Sequence, residues 1–169
     1  MISPISTEDV ASGFHCGVHP LDDYFARHAL PNDRAGVNRC FVLRGGAGEA
    51  RVLGFYTLSM AAVQADAVRS VVRARLPRYP LPVALIGRLA VHEEARRRGH
   101  GEVLLVDALR RVLAAAQNVG CMGVIVDSKD EAAERFYGKY GFGTLEEDGW
   151  PKRMFVTMAT IQASAEAAH

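Results

Sequence analysis

Lysine is nearly missing from this 169-residue chain: of its 20 basic residues, three are Lys and the rest Arg. Cysteine is scarce as well. Cys16, Cys40 and Cys121 are odd in number and widely spaced, which excludes a disulfide framework and a zinc site built on paired cysteines. They read as reduced, half-buried thiols of a cytosolic protein. No apolar run approaches the roughly 20 residues needed to span a bilayer. The first residues lack a basic stretch followed by an apolar one, so no signal peptide is read and no membrane partner is expected. A cytoplasmic protein is the expectation. No internal repeat, low-complexity tract or dividing linker occurs either, so residues 1–162 read as one domain and 163–169 as a frayed Ala-rich tail. What is present is ordinary for a globular fold: 49% hydrophobic and 23% charged residues, in a chain long enough to bury a core.

The net charge of +1 conceals an asymmetry. Between Arg69 and Arg98 there are eight Arg against Glu93 and Glu94, a local balance of +6. Between Asp127 and Asp148 seven acids face three bases, a balance of −4. Arg forks match phosphate oxygens bidentately, so the basic stretch suits a nucleotide or nucleic-acid partner. A solvated charged face is the bland alternative, and composition does not choose between them.

Periodicity organises the chain into one mixed α/β sheet. Ile2 to Ile5 reads as a first strand, and His19-Pro20-Leu21 opens a helix that Pro31 should end. Arg39 to Arg44 and Arg51 to Met60 read as a hairpin across Gly45, Gly46 and Gly48. Ala61 to Pro82 holds at most a short helix, closed by three prolines. Val83 to Val91 is a buried central strand, with Gly87 marking a bulge or a close approach. Glu102 to Val119 is a long amphipathic helix, Cys121 to Val126 a buried strand, and Asp130 to Tyr140 a helix capped by Ser128. Arg153 to Ile161 is the last strand.

The most informative stretch is Val91-His-Glu-Glu-Ala-Arg96-Arg97-Arg98-Gly99-His100-Gly101-Glu102, where a buried strand runs through a loop straight into a helix. Free amides at a helix N-terminus, backed by the helix dipole, make an anion site. Gly99 and Gly101 permit close backbone approach and unusual dihedrals, and Arg96, Arg97 and Arg98 add charge. A P-loop would need Lys and then Ser or Thr, where Glu102 and Val103 stand. A dinucleotide fingerprint would need Gly at position 104, which is Leu.

The pattern Arg96-x-x-Gly99-x-Gly101, between a strand and a long helix, resembles motif A of the GNAT-superfamily N-acetyltransferases. Ile86-Gly87-Arg88-Leu89-Ala90-Val91 is similar to the GNAT strand that binds pantetheine through its backbone, and Phe136-Tyr137-x-x-x-Gly141-Phe142 to the end of motif B. The resemblance implies a mostly antiparallel α/β sheet, splayed between its middle strands and flanked by helices. It also implies acetyl-CoA as cofactor with no metal, the diphosphate resting on the amides of Arg97 to Gly101. Backbone N–H groups of Leu89, Ala90 and Val91 would polarise the thioester carbonyl. Tyr137 matches the tyrosine that serves many of these enzymes as general acid toward the coenzyme A sulfur; packing the helix on the sheet is its alternative role. For a general base, His92, Glu93 and Glu94 follow the cofactor strand, but exposed loop residues are the simpler reading.

A narrower resemblance spans nearly the whole chain. Gly13-Phe-His-Cys-Gly-Val-His-Pro-Leu-Asp-Asp-Tyr-Phe25, Val52-Leu-Gly-Phe-Tyr-Thr-Leu-Ser59, Leu76-Pro-Arg-Tyr-Pro-Leu-Pro82 and Gly87-Arg-Leu-Ala-Val91 look like the GNAT toxins of bacterial toxin–antitoxin modules. His15-Cys16 and His19-Pro20 depart from that pattern at the start of the first helix. This resemblance implies acetylation of the α-amine of aminoacyl-tRNA, which blocks translation, and a ribbon-helix-helix antitoxin as protein partner; it leaves a homodimer open. Arg73, Arg75, Arg78 and Arg88 then become candidates for tRNA backbone contacts, with Arg88 alternatively a buried strut. Two other readings stand beside this one: an acetyltransferase for a small amine or a protein N-terminus, and an inert acyl-CoA-binding module whose work is to bind another protein. Thiol release with charged tRNA separates the three.

Overall fold

The computed structural model describes residues 1–45, 51–146 and 148–168. Its strands are β1 (Ile2–Pro4), β2 (Arg39–Arg44), β3 (Val52–Val63), β4 (Leu81–Val91), β5 (Gly123–Ser128), β6 (Gly143–Thr144) and β7 (Lys152–Thr157). Its helices are α1 (Thr7–Val10), α2 (His19–Arg27), α3 (Ala29–Ala35), α4 (His100–Ala115), α5 (Glu131–Gly138) and α6 (Met158–Ala167). The strands follow the order β1-β2-β3-β4-β5-β7-β6 in one seven-stranded sheet. Its β1–β2, β2–β3, β5–β7 and β6–β7 pairs are antiparallel, the mixed α/β architecture expected. The chain forms two compact units, one of Met1–Ser59 with Ile86–Ala108 and the other of Met60–Leu85 with Leu109–His169. Gly46 and Gly48 of the expected hairpin turn lie outside the described residues.

The first unit is built around aromatic rings. Phe55 of β3 meets Phe25 of α2 at 4.8 Å between ring centroids and Phe14 at 5.4 Å edge-on, a preferred aromatic geometry. Val42, Cys40, Ala29 and Ala90 close the same core. Gly54 must be Gly: a Cβ there would stand 2.7 Å from Leu104 Cδ1 and 2.8 Å from the Ala90 carbonyl oxygen. That close approach seats the first turns of α4 on the sheet. α1 buries a carboxylate, since Asp9 accepts from the Ser6 N–H at 2.8 Å and pairs with Arg44, whose Nε lies 2.8 Å from Oδ1. Pro31 does not end the first helix. α2 stops at His28, and Pro31 sits in the first turn of α3, where its missing N–H has no intrahelical acceptor to lose.

The second unit packs Val63, Val68, Leu81, Val83, Ile125 and Phe155 into its own core. β5 pairs with β7 from Gly123–Thr157 to Ser128–Lys152. Ser128 is not the cap of α5: its hydroxyl donates to the Lys152 carbonyl at 2.9 Å, while Asp130 accepts from the Ala133 N–H at 2.8 Å. A carboxylate two residues later fills the N-cap better because it also complements the helix dipole. The last strand ends at Thr157 rather than Ile161, and the expected frayed tail is helical through Ala167. Thr157 caps α6 by accepting from the Thr160 N–H, and Ile161 is buried beneath it. The apolar run that reads as a strand is divided by that cap.

Candidate functional site

The loop between β4 and α4 is held by short-range bonds before it turns outward. His92 N–H donates to the Leu53 carbonyl at 2.7 Å, Glu93 N–H to the His15 carbonyl at 2.9 Å, and residues Glu93–Ala95 make a 3-10 turn with Ala95 buried. Arg97 then adopts φ 63° and Gly99 φ 80°. Gly has no Cβ to oppose such a conformation, whereas for Arg it costs about 1–3 kcal/mol, a strain that concentrates at functional sites. Arg98 between them keeps a negative φ, and such alternation of hand is the backbone pattern from which anion-binding nests are made. Val103 N–H makes the first helical bond to the Gly99 carbonyl at 3.1 Å, so the amides of His100, Gly101 and Glu102 head the helix without intrahelical acceptors. The 16 residues of α4 place a positive dipole end behind them. Arg97 and Arg98 are exposed on this loop, and the whole is suited to a diphosphate.

Gly101 contributes as a helical residue, the second of α4, and not through an unusual dihedral. Leu89 and Val91 are half-buried at the end of β4, with Ala90 buried between them. Arg96 behaves differently from its neighbours. Its guanidinium donates to the Cys16 carbonyl and lies over Gly17, so the side chain braces the loop against the start of α2. That start is itself tied down. Asp22 accepts from the Cys16 N–H at 2.7 Å and pairs with His15 Nδ1 at 2.8 Å, while His15 Nε2 lies 3.3 Å from Glu93. Burial alone would raise the Asp22 carboxyl, but its bonds to Cys16 and the His15 charge outweigh it and hold the group below the usual carboxylate range.

The residues considered for a general base are engaged locally. His92 Nδ1 accepts from the Glu94 N–H at 3.1 Å, Glu93 meets His15, and Glu94 pairs with Arg51 at 2.5 Å.

Tyr137 stands near the end of α5 in the second unit. Its ring meets Phe136 and Phe142 edge-on at 5.2 and 5.5 Å between centroids. Burial, and then the nearby Asp127 carboxylate, push its phenol up to about 12. It therefore keeps its proton at neutral pH.

The basic stretch divides. Arg73, Arg75 and Arg78 are exposed in the second unit, whereas Arg88 is half-buried in the first with its guanidinium 3.6 Å from the centroid of the Tyr24 ring. Tyr24 in turn takes a hydrogen bond from the Asn38 amide at 2.8 Å. Sequence reasoning missed Arg97's left-handed backbone, since Arg carries no local preference for it, and the tie between Arg96 and Cys16, which are 80 positions apart. No helix among the described residues is long and apolar enough to cross a membrane.

Known proteins resemble the chain over most of its length. Residues 37–144 match the acetyltransferase (GNAT) domain. The chain is 37% identical over 159 residues to a tRNA-acetylating toxin of Mycobacterium tuberculosis strain ATCC 25618 / H37Rv, covering 94% of this chain and 92% of the relative. Among solved structures, AtaT complexed with acetyl-methionyl-tRNAfMet superposes with a TM-score of 0.82 at 25% identity, over 98% of each chain. The structure of AtaTR bound with acetyl-CoA gives 0.81 at 25% identity, over 98% of this chain and 97% of that one. The chain belongs to the GNAT acetyltransferase family, together with the Mycobacterium tuberculosis toxin.

Proposed function

We propose that the protein is an acetyl-CoA-dependent toxin that acetylates the α-amine of aminoacyl-tRNA and so blocks translation, and that a ribbon-helix-helix antitoxin restrains it in the cytoplasm. The observation that carries this reading is the end-to-end likeness to the tRNA-acetylating toxin, and the left-handed backbone at Arg97 and Gly99 before α4 supports it. Bound acetyl-CoA would supply an activated acetyl thioester. The amides of Arg97 to Gly101 and the exposed Arg97 and Arg98 would hold its diphosphate, with Arg96 fixing the loop rather than touching phosphate. The backbone of Leu89, Ala90 and Val91 would orient the pantetheine arm and donate to the carbonyl oxygen as charge develops there. Tyr137 would give its proton to the departing sulfur.

The acceptor needs little help. An α-amino group titrates at about 7.7–8.0, and esterification lowers that further, so a large share is already neutral at physiological pH. Water can carry off the proton released on attack, in keeping with the local engagement of His92, Glu93 and Glu94. Arg73, Arg75 and Arg78 would meet tRNA phosphates, and Arg88 would approach the acceptor strand from its fixed position over Tyr24. The test is thiol release from acetyl-CoA in the presence of charged or uncharged tRNA. Release with charged tRNA alone is expected; release with a small amine or a peptide N-terminus instead would overturn the substrate.

A further inference from the structure

The segment that precedes β4 shapes a concavity of about 520 Å³ in the second unit, a volume typical of small-molecule sites. Arg69, Arg75 and Arg78 stand around it. Arg69 is neutralised by Asp66 at 2.8 Å, but among the described residues neither Arg75 nor Arg78 has an acidic partner. The same hollow is lined by Ala74 and Leu76, which offer an apolar face, and by Gln64, whose side-chain amide both donates and accepts. Tyr79, the neighbour of Arg78, leaves 64% of its surface in solvent, unusual for a large aromatic.

Unpaired cations, an apolar face and an amide in a nucleotide-sized hollow make a set with different demands from a flat basic patch. A duplex presents phosphates and hides its base faces in the stack, so it would use the arginines and leave the hollow empty. An unpaired strand can splay a base into it. We propose that this cleft takes one unpaired nucleotide of the substrate RNA: the phosphate on Arg75 and Arg78, the base against Ala74 and Leu76 with its edge toward Gln64, and Tyr79 as a stacking surface for the next base. The identity of that RNA rests on the tRNA reading above, which makes the occupant the unpaired 3′ strand of the tRNA.

The test is fluorescence anisotropy of the full chain with a labelled single-stranded RNA and with a blunt RNA hairpin of equal phosphate number. The single strand should bind about tenfold more tightly. Ala74→Ile narrows the hollow without altering charge or adding a stacking ring, so it should erase that preference while leaving hairpin binding unchanged. Arg75→Ala should weaken both RNAs and make their salt dependence shallower. Should Ala74→Ile fail to fold, Gln64→Ala, an exposed position, should weaken the single strand about threefold and leave the hairpin alone. Equal affinity of the wild type for the two RNAs, or an undiminished preference in the folded variants, would overturn the cleft. Acetylation of charged tRNA measured in parallel keeps the two ideas apart. Acetylation without a single-strand preference overturns the cleft and leaves the substrate standing. A single-strand preference without acetylation does the reverse.

Discussion

Tyr137 and Asp9 show burial acting in the same direction on two acids, with opposite outcomes once their partners are counted. Burial raises the Tyr137 phenol to about 12, which keeps it a donor at every physiological pH. Tyr137→Phe keeps the ring between Phe136 and Phe142 and removes only the hydroxyl. Turnover in the variant should fall roughly 10²-fold or more, with a melting temperature close to wild type. Full activity in the soluble variant would leave Tyr137 a packing residue. For Asp9, burial also works to raise the pKa, but Arg44 and the Ser6 donors prevail and the folded carboxyl titrates below its ordinary value. A depressed carboxyl contributes stability that is present in full above its unfolded pKa of about 3.9 and disappears as pH falls through the folded value. Asp9→Asn, which leaves Arg44 half-buried without its carboxylate, should cost on the order of 3 kcal/mol at neutral pH. The gap in melting temperature between variant and wild type should narrow below about pH 4. A gap that stays constant with pH would show that the charge of Asp9 contributes nothing.

At the scale of elements, the β4–α4 loop separates amides that would hold an anion from a side chain that holds the loop. Replacing Gly99 and Gly101 together by bulky residues should abolish the rise in melting temperature that acetyl-CoA brings by mass action. At Gly99 the obstacle is the dihedral itself, since a Cβ there would meet nothing within 4 Å. Arg96→Ala should lower the melting temperature of the free protein, because the tie to Cys16 is lost, yet retain an acetyl-CoA shift. An Arg96→Ala protein of unchanged stability that ignores acetyl-CoA would return the side chain to phosphate binding.

The same loop marks what could be read from the residues and what could not. Arg39–Arg44 was legible as a strand and its limits hold, because β-formers lie between charged ends. The strand–loop–helix around Gly99 was legible because Gly and Arg carry their chemistry locally. Asp130 against Ser128, Pro31 inside α3 and the cap at Thr157 were not. Each depends on which of two acceptable residues the packed chain uses. The tie of Arg96 to Cys16 is tertiary, and no window of sequence contains it. The hollow beside Arg75 and Arg78 is lined by residues 64–78 alone, a stretch with no periodicity from which its shape could be read.

For the whole molecule the question is the acceptor. If Arg75 and Arg78 meet RNA, Arg75→Glu or Arg78→Glu should weaken tRNA binding at least tenfold and flatten its salt dependence, with the acetyl-CoA melting shift unchanged. An unaltered salt slope would place the tRNA elsewhere on the surface. The most direct measurement uses the purified protein, labelled acetyl-CoA and a full set of charged tRNAs, followed by release and identification of the amino acids. The expected result is label on the α-amine of one or a few amino acids released from tRNA, with none on uncharged tRNA and none when Tyr137→Phe replaces the wild type. Label absent from every charged tRNA but present on a small amine or a peptide N-terminus would contradict the proposed toxin function and leave only the family and its fold.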